Sequence, residues 1–475
     1  MRKENPTEQL SRRKLLKLGA GLVGAAAAGT VLPRALLRPS KVKAALSADA
    51  ITPMGVYRHF AASDGWAYLP GENLPYHPDN LAPDGLTTYI FGFRDVTSLD
   101  PLPDGRDLIF QQKMKCQLTS PMFWLDEWRG TDFESVTDFT LKLTNLGLQV
   151  RPDLIDAHTL HFHGFRNAIP IFDGEPHSSV GVPISRDLTY FYRARDPGTY
   201  MYHCHFEETE HVHMGMVGGV FVRPRQNFST GGFAVPPARL GDGGPDAPAM
   251  GYVYNDGDGS TAYDREFVLV MNEVWTLAHW CDSHVQLPEW SDYNPDIYLM
   301  NGRVYPDTIA PNGGYVDGGG ELYLWEPDPA TGDMVHTERP ELRYQPLSSL
   351  ITCNAGDRVL VRFINLGYVA QSMRLTGIKM RVVGRDATLL RGRDGKDQTY
   401  LTDSLHIGAG QSVDAIVDVP DDITEFTKLL LFSRNLAHLS NPGSPGLGGP
   451  MTEFHIHPAG TLGPQVAAND WGVVL

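Results

Sequence analysis

Cysteine is scarce in this chain, four residues among 475, so no disulfide framework carries the fold. None of the four lies in the first 100 residues, which excludes a lipid-anchored N-terminus. Long apolar runs are also lacking. The soft stretch from Leu18 to Leu32 is only fifteen residues of mostly Gly, Ala and Val, too short and too weakly apolar to span a bilayer comfortably. Basic residues are few beside acidic ones: 40 Lys and Arg against 56 Asp and Glu, a formal net charge of −16. Residues 1–50 hold ten of the basic and three of the acidic side chains, so the remainder carries 30 against 53, or −23. That balance argues against a nucleic-acid surface or a polybasic membrane patch. The 14 methionines are scattered, with no Met-rich stretch.

Glycine and proline are plentiful, 49 and 35, which favours an all-β chain with many turns over a helical one. Ser11-Arg12-Arg13-Lys14-Leu15-Leu16-Lys17 ahead of the soft apolar run looks like a twin-arginine export signal spanning residues 1–50, with cleavage expected after Ala48-Asp49-Ala50. The exported chain is then periplasmic or extracellular, without stable membrane insertion. Residues 51–84 read as an N-terminal extension, 85–225 as a first β domain, and 226–262 as a Gly-, Pro- and Asp-rich linker. Residues 263–458 read as a second β domain and 459–475 as a tail. Phe139–Leu143 alternates as a half-buried strand should, Thr189–Tyr192 feeds an Asp196-Pro197-Gly198 turn, and strand character resumes at Glu266–Val270. A Gly-rich loop, Pro311 to Gly320, interrupts the second domain.

The two domains repeat one another. Thr144-Asn145-Leu146-Gly147 precedes His158-x-x-His161-x-His163-Gly164, and Ile364-Asn365-Leu366-Gly367 precedes Gln371-x-x-Arg374-x-Thr376-Gly377. The spacing is the same and the chemistry has changed, as expected of a duplicated β domain.

Eight of the 17 histidines fall within residues 158–213. Successive side chains of a strand face opposite ways, so His203 and His205 share one face while Cys204 takes the other. If the strand extends that far, the same parity separates His161 and His163 from His158. Two sets result: His158, Cys204, His211 and Met216, and His161, His163, His203 and His205. Two imidazoles, a thiolate and a thioether make a blue-copper donor set. Zinc competes for Cys and His, but Met is an unusual zinc ligand and the spacing matches no zinc finger. His213 and Met214 are rival ligands to His211 and Met216.

His-x-x-His-x-His-Gly followed by His-Cys-His…His-x(4)-Met resembles the paired copper motifs of multicopper oxidases. Asp196-Pro197-Gly198-Thr199-Tyr200 and Asn301-Gly302-Arg303-Val304-Tyr305-Pro306 fit the same pattern. The resemblance covers about residues 85–457 and implies two cupredoxin-like Greek-key β-sandwich domains. It implies copper as cofactor, with His158, Cys204, His211 and Met216 as type 1 ligands. His161 matches a type 2 ligand, and His163, His203 and His205 match type 3 ligands. In that family electrons pass from type 1 copper through the cysteine to the flanking histidines, which gives Cys204, His203 and His205 the catalytic roles. Copper nitrite reductases are the nearest alternative but lack the counterparts of His161 and His205.

The second half departs from the pattern. Where further cluster histidines are expected it carries Arg374, Thr376, Phe432 and Arg434, and Gln371 and Ser433 replace a second blue-copper His and Cys. The trinuclear site is therefore expected to be incomplete, unless His438, His455 or His457 substitutes. His279 and His284 about Cys281 form a further candidate metal group. The expected partners are a small-molecule or metal-ion electron donor, or a basic redox protein; a homo-oligomer is compatible with the sequence. An electron carrier or a structural, division-associated protein on the same scaffold are the competing functions.

Overall fold

In the computed structural model, residues 51–465 are described apart from 54–56, 72–73, 100–107, 129–137, 167–168, 228–250, 311, 313–324, 328–333 and 337–338. The expected export signal, most of the expected linker, the Pro311–Gly320 loop except Asn312, and the end of the tail lie outside them. Among the described residues, no helix is long and apolar enough to cross a membrane.

Each half is a pair of packed sheets, as expected of an all-β, cupredoxin-like chain. In the first half one sheet orders the strands Thr88–Asp95, Tyr57–Ala67, Phe139–Asn145 and Asp187–Tyr192. The other orders Ile51–Pro53, Met122–Asp126, Val217–Arg223, Gly198–His203 and His161–His163. Phe60, Phe91, Phe93, Phe123, Phe162 and Tyr202 fill the space between them, all almost fully buried. Alternation predicts this: Phe139, Leu141 and Leu143 point inward from their strand, and Thr140 and Lys142 are partly exposed.

The second half repeats the plan. Arg265–Val274, Arg358–Asn365, Gln411–Asp418 and Met380–Arg385 form the middle of one sheet. Ile351–Asn354, Met451–His457, Thr427–Ser433, Gln371–Leu375 and Ser404–Ile407 form the other. Its core is mainly aliphatic, with Phe267, Leu269, Val361, Phe363, Val413 and Ile456 buried.

Two boundaries differ from the sequence reading. Tyr57–Ala67, placed in an extension, is a central strand paired on both sides. Its polar centre disguised it. Asp64 is fully buried there because its carboxylate accepts bonds from Tyr89 Oη (2.8 Å) and the amides of Gln149 (2.7 Å) and Val150 (2.8 Å). The second part of the linker is also built into the fold. Gly251–Tyr252 pairs with Ala262–Tyr263, and Val253, Tyr254 and Tyr263 pack on Leu360 and Ile416.

The halves pack closely. Met122, Met201 and Phe221 of the first meet Val268, Val270 and Ile364 of the second. A buried ion network also joins them: Arg223 to Glu266 (2.6 Å), Glu266 to Arg362 (2.7 Å) and Arg362 to Asp414 (3.2 Å). Tyr254 and Thr199 also donate to Asp414. Buried charges are tolerable only when paired this fully.

Candidate metal centre

The strand Gly198–His203 ends by handing the chain to Cys204, whose side chain is fully buried. Its Sγ lies 3.3 Å from Nδ1 of His211 and 3.8 Å from Nδ1 of His158. The three donor atoms lie within 4.8 Å of one another, and all three residues are buried. His158 is held by a bridge to Val182, and His211 comes from a seven-residue helix, α1, Glu208–Met214. Met216 is fully buried in the same core, and its carbonyl accepts the Cys204 amide (3.1 Å). The Thr159 amide points at Sγ (3.5 Å), while the Thr159 hydroxyl takes the amide of His205 (3.0 Å).

The outward nitrogen of His211, Nε2, faces Asp156 Oδ2 at 3.7 Å; neither atom has another hydrogen-bond partner. Burial pushes His211 down, but the Cys204 sulfur, Asp156 and Glu210 outweigh it and lift the group to about 10. His158 has no such acidic partner. Burial, and then the charge of His211, push it well below the usual imidazole value.

His161, His163, His203 and His205 gather on the opposite face. His161 and His203 are direct cross-strand partners. Ring centroids are 5.3 Å apart for His161–His203, 5.0 Å for His161–His205, 5.4 Å for His203–His205, and 5.9 Å for His163–His203. Nδ1 of His161 bonds the Asp173 carbonyl (2.7 Å), and Nδ1 of His203 bonds the Cys204 carbonyl (2.9 Å). Those bonds fix the tautomer that leaves each Nε2 lone pair available to a metal. Burial drives His203 down to about 3, so it is neutral. The four ligand atoms are less tightly gathered than the Cys204 set. Among the described residues, the other close group of potential ligands is Asp156, Glu207 and His211.

Of the rival ligands, His213 is engaged elsewhere, its Nε2 accepting the Trp275 amide (3.1 Å), and Met214 lies in the same buried core as Cys204 and Met216. His279 bonds the Tyr89 carbonyl (2.6 Å) and His284 bonds Asn80 (3.0 Å). Cys281 joins no metal-holding group among the described residues.

The second half shows what stands at the positions where the sequence repeat expects ligands. Arg374 pairs across the strands with Phe432, as His161 pairs with His203, so the two substitutions occupy matching places. Arg374 is half exposed and faces Asp403 at 3.6 Å. Thr376 is spent on the backbone of Leu430. Ser433 Oγ lies 3.4 Å from Gln371 Oε1, and His438 Nδ1 donates to the same oxygen at 3.4 Å. His438 lies beside Gln371, the position that matches His158, and Tyr298 stacks on it at 3.5 Å. His455 bonds Glu453 (2.7 Å), and Phe426 lies edge-on to His457. Within one chain, the second half meets the four histidines through Gly410, where a Cβ would come within 3.1 Å of His163 Cε1, and through the charge of Asp386. Asp156 and Asp386 carried no signal in the sequence, being single acidic residues outside the strands.

Two family models, each described as multicopper oxidase, match residues 142–227 and 274–441, together more than half of the chain. The chain belongs to the multicopper oxidase family, copper-dependent oxidoreductases. A blue copper oxidase from Nitrosomonas europaea is 16% identical, with 85% of each chain covered and a TM-score of 0.49. The multicopper oxidase mgLAC is 17% identical over 87% of this chain and 89% of that one, with a TM-score of 0.48. A copper nitrite reductase from Nitrosomonas europaea is 14% identical over 88% and 97%, with a TM-score of 0.46. No curated protein matches the sequence.

The donors fit the family's metal. One sulfur and two imidazole Nδ1 atoms of buried residues converge, a soft and borderline set of the kind copper takes.

Proposed function

We propose that this chain is an exported oxidoreductase whose redox centre is a type 1 copper site of His158, Cys204, His211 and Met216. The convergence of Sγ with two Nδ1 atoms carries this reading. Copper held there supplies a one-electron couple. The protein's own part is to exclude water and fix the donors in place. Phe91 lies edge-on to His211 at 5.8 Å, and the buried Tyr190 hydroxyl accepts the Leu160 amide. Asp156 faces the outward nitrogen of His211 and favours its proton there, which keeps Nδ1 free. Cys204 is covalently flanked by His203 and His205, so one tripeptide joins both clusters.

The four histidines form a second, partial copper site. Asp173, Glu175, Glu208 and Asp386 lie around them and favour a cation. Because Arg374, Thr376, Phe432 and Arg434 supply no imidazole, one or two coppers per chain are expected, with little four-electron oxygen reduction. The surplus of acidic residues favours a cationic donor protein, whose reaction would slow as salt rises; a neutral small donor would show no such dependence. Metal analysis with a visible spectrum tests the central claim. The copper-loaded protein should be blue or green, with a band near roughly 600 nm. A colourless protein holding one copper would falsify it.

A further inference from the structure

We propose that the second half positions the copper-ligand helix of the first, with Tyr368 and Glu273 as positioning residues acting on His211. The inference rests on the copper reading above. Helix α1 is poorly equipped to hold itself. It has only seven residues, and its N-cap, Glu207, sits at φ 47 with no side-chain capping bond. A left-handed backbone at a non-glycine residue persists only when the surroundings impose it. Phe91 and Asp156 of the first half flank His211, and residues of the second half add hydrogen bonds and rings at both ends of α1.

Tyr368 Oη donates to the carbonyls of Glu208 (3.0 Å) and Thr209 (2.8 Å), in the first turn of α1. At the other end, His213 is enclosed. The Trp275 amide donates to its Nε2, and the rings of His279, Tyr293, Trp290 and Tyr368 stand 5.0, 5.3, 5.5 and 6.0 Å away. The buried carboxylate of Glu273 ties this cage together. Its Oε1 accepts from Tyr293 Oη (2.8 Å), the Tyr368 amide (2.5 Å) and the Val369 amide (3.0 Å). Gly367 is required there, because a Cβ would collide with the Glu273 carboxylate. His211 lies between the clasped turn and the caged histidine, so its Nδ1 can move toward or away from Cys204 only if the clamp yields.

The test uses the full chain, metal-free and copper-loaded, with Tyr368→Phe and Glu273→Gln, and with Tyr305→Phe as a control. Tyr305 also donates to a glutamate, Glu453, but lies away from α1. Tyr368→Phe should shift the visible band, the copper hyperfine coupling and the reduction potential, and weaken copper binding about 10- to 100-fold, as loss of an outer partner does. In the metal-free protein it should speed amide exchange across residues 208–216 by about tenfold. Glu273→Gln should move the same readouts in the same direction, and Tyr305→Phe should move none. A Tyr368→Phe protein that is merely less stable, with unchanged spectrum, affinity and exchange, overturns the inference. If the wild type shows no copper–sulfur band, the copper reading falls, and the exchange experiment on the metal-free protein still decides whether the clamp exists.

Discussion

The two halves carry the same frame and opposite chemistry. In the first, Asn145 Nδ2 donates to the carbonyls of Asp156 and Val182, both at 2.9 Å, while its Oδ1 takes the Gly147 amide. In the second, Asn365 makes the same three bonds, to Val369 (3.0 Å), Ile407 (3.1 Å) and the Gly367 amide (3.1 Å). His158 bridges Val182 as Gln371 pairs with Ile407. Beyond the asparagines the two halves diverge. One closes on sulfur and imidazole with unshared lone pairs. The other closes on Gln371, Ser433 and His438, which hydrogen-bond to one another. The same asparagine frame carries either set of side chains, although the exchange leaves Gln371 Nε2 buried without a hydrogen-bond partner.

The largest expected effect is at Cys204. Cys204→Ser should abolish the visible band and lower copper by about one per chain, while Ser433→Ala should leave both unchanged; absorption and metal analysis check this. Next is the network that joins the halves. Arg362→Ala takes a buried cation away from Glu266 and Asp414 and should cost about 3–5 kcal/mol, read from the denaturant midpoint. A third test rebuilds the lost site. Gln371→His with Ser433→Cys sets a thiol and two imidazoles beside Tyr298, and the double variant should gain a second copper–sulfur band.

Acid should then separate the halves in the metal-free protein. His158, His203 and His213 of the first half, and His279 of the second, are buried, and burial holds each below its ordinary value. Each is neutral when folded and takes up a proton on unfolding below about pH 6.5, so stability falls with pH by about 1.4 kcal/mol per unit for each group. His211 runs the other way: its contribution is present below about pH 6.5 and lost as pH rises through about 10. Amide exchange at about pH 7 and about pH 5 should show the first half loosening earlier. The smallest effect is Arg374→Ala, which opens an exposed pair and should change stability by less than about 0.5 kcal/mol with no change in copper. His161→Ala, at the matching place, should reduce metal at the second site.

Much of this was legible in the sequence. Strand parity separated His158 and Cys204 from His161, His163, His203 and His205 on paper. The observed strands are shorter, His161–His163 and Gly198–His203, so His158, Cys204 and His205 are placed by the segments just beyond them. The internal repeat likewise matched Arg374 and Thr376 to His161 and His163, and Gln371 and Ser433 to His158 and Cys204. His438 could not be assigned to the second-half pocket, since it stands five residues after Ser433 where His211 stands seven after Cys204. The strand Tyr57–Ala67 was hidden because Asp64 is satisfied by groups 25 to 86 residues away. The clamp on α1 was hidden for the same reason: Glu273, Tyr293 and Tyr368 meet only through tertiary packing.

The paired asparagines also bear on how the molecule is assembled in time. Because each ties down its own turn and the strand beyond it without help from any ligand, the chain can reach its final shape before a metal arrives. Copper would then be the last part fitted, received by donors already in place rather than gathering them from a loose chain.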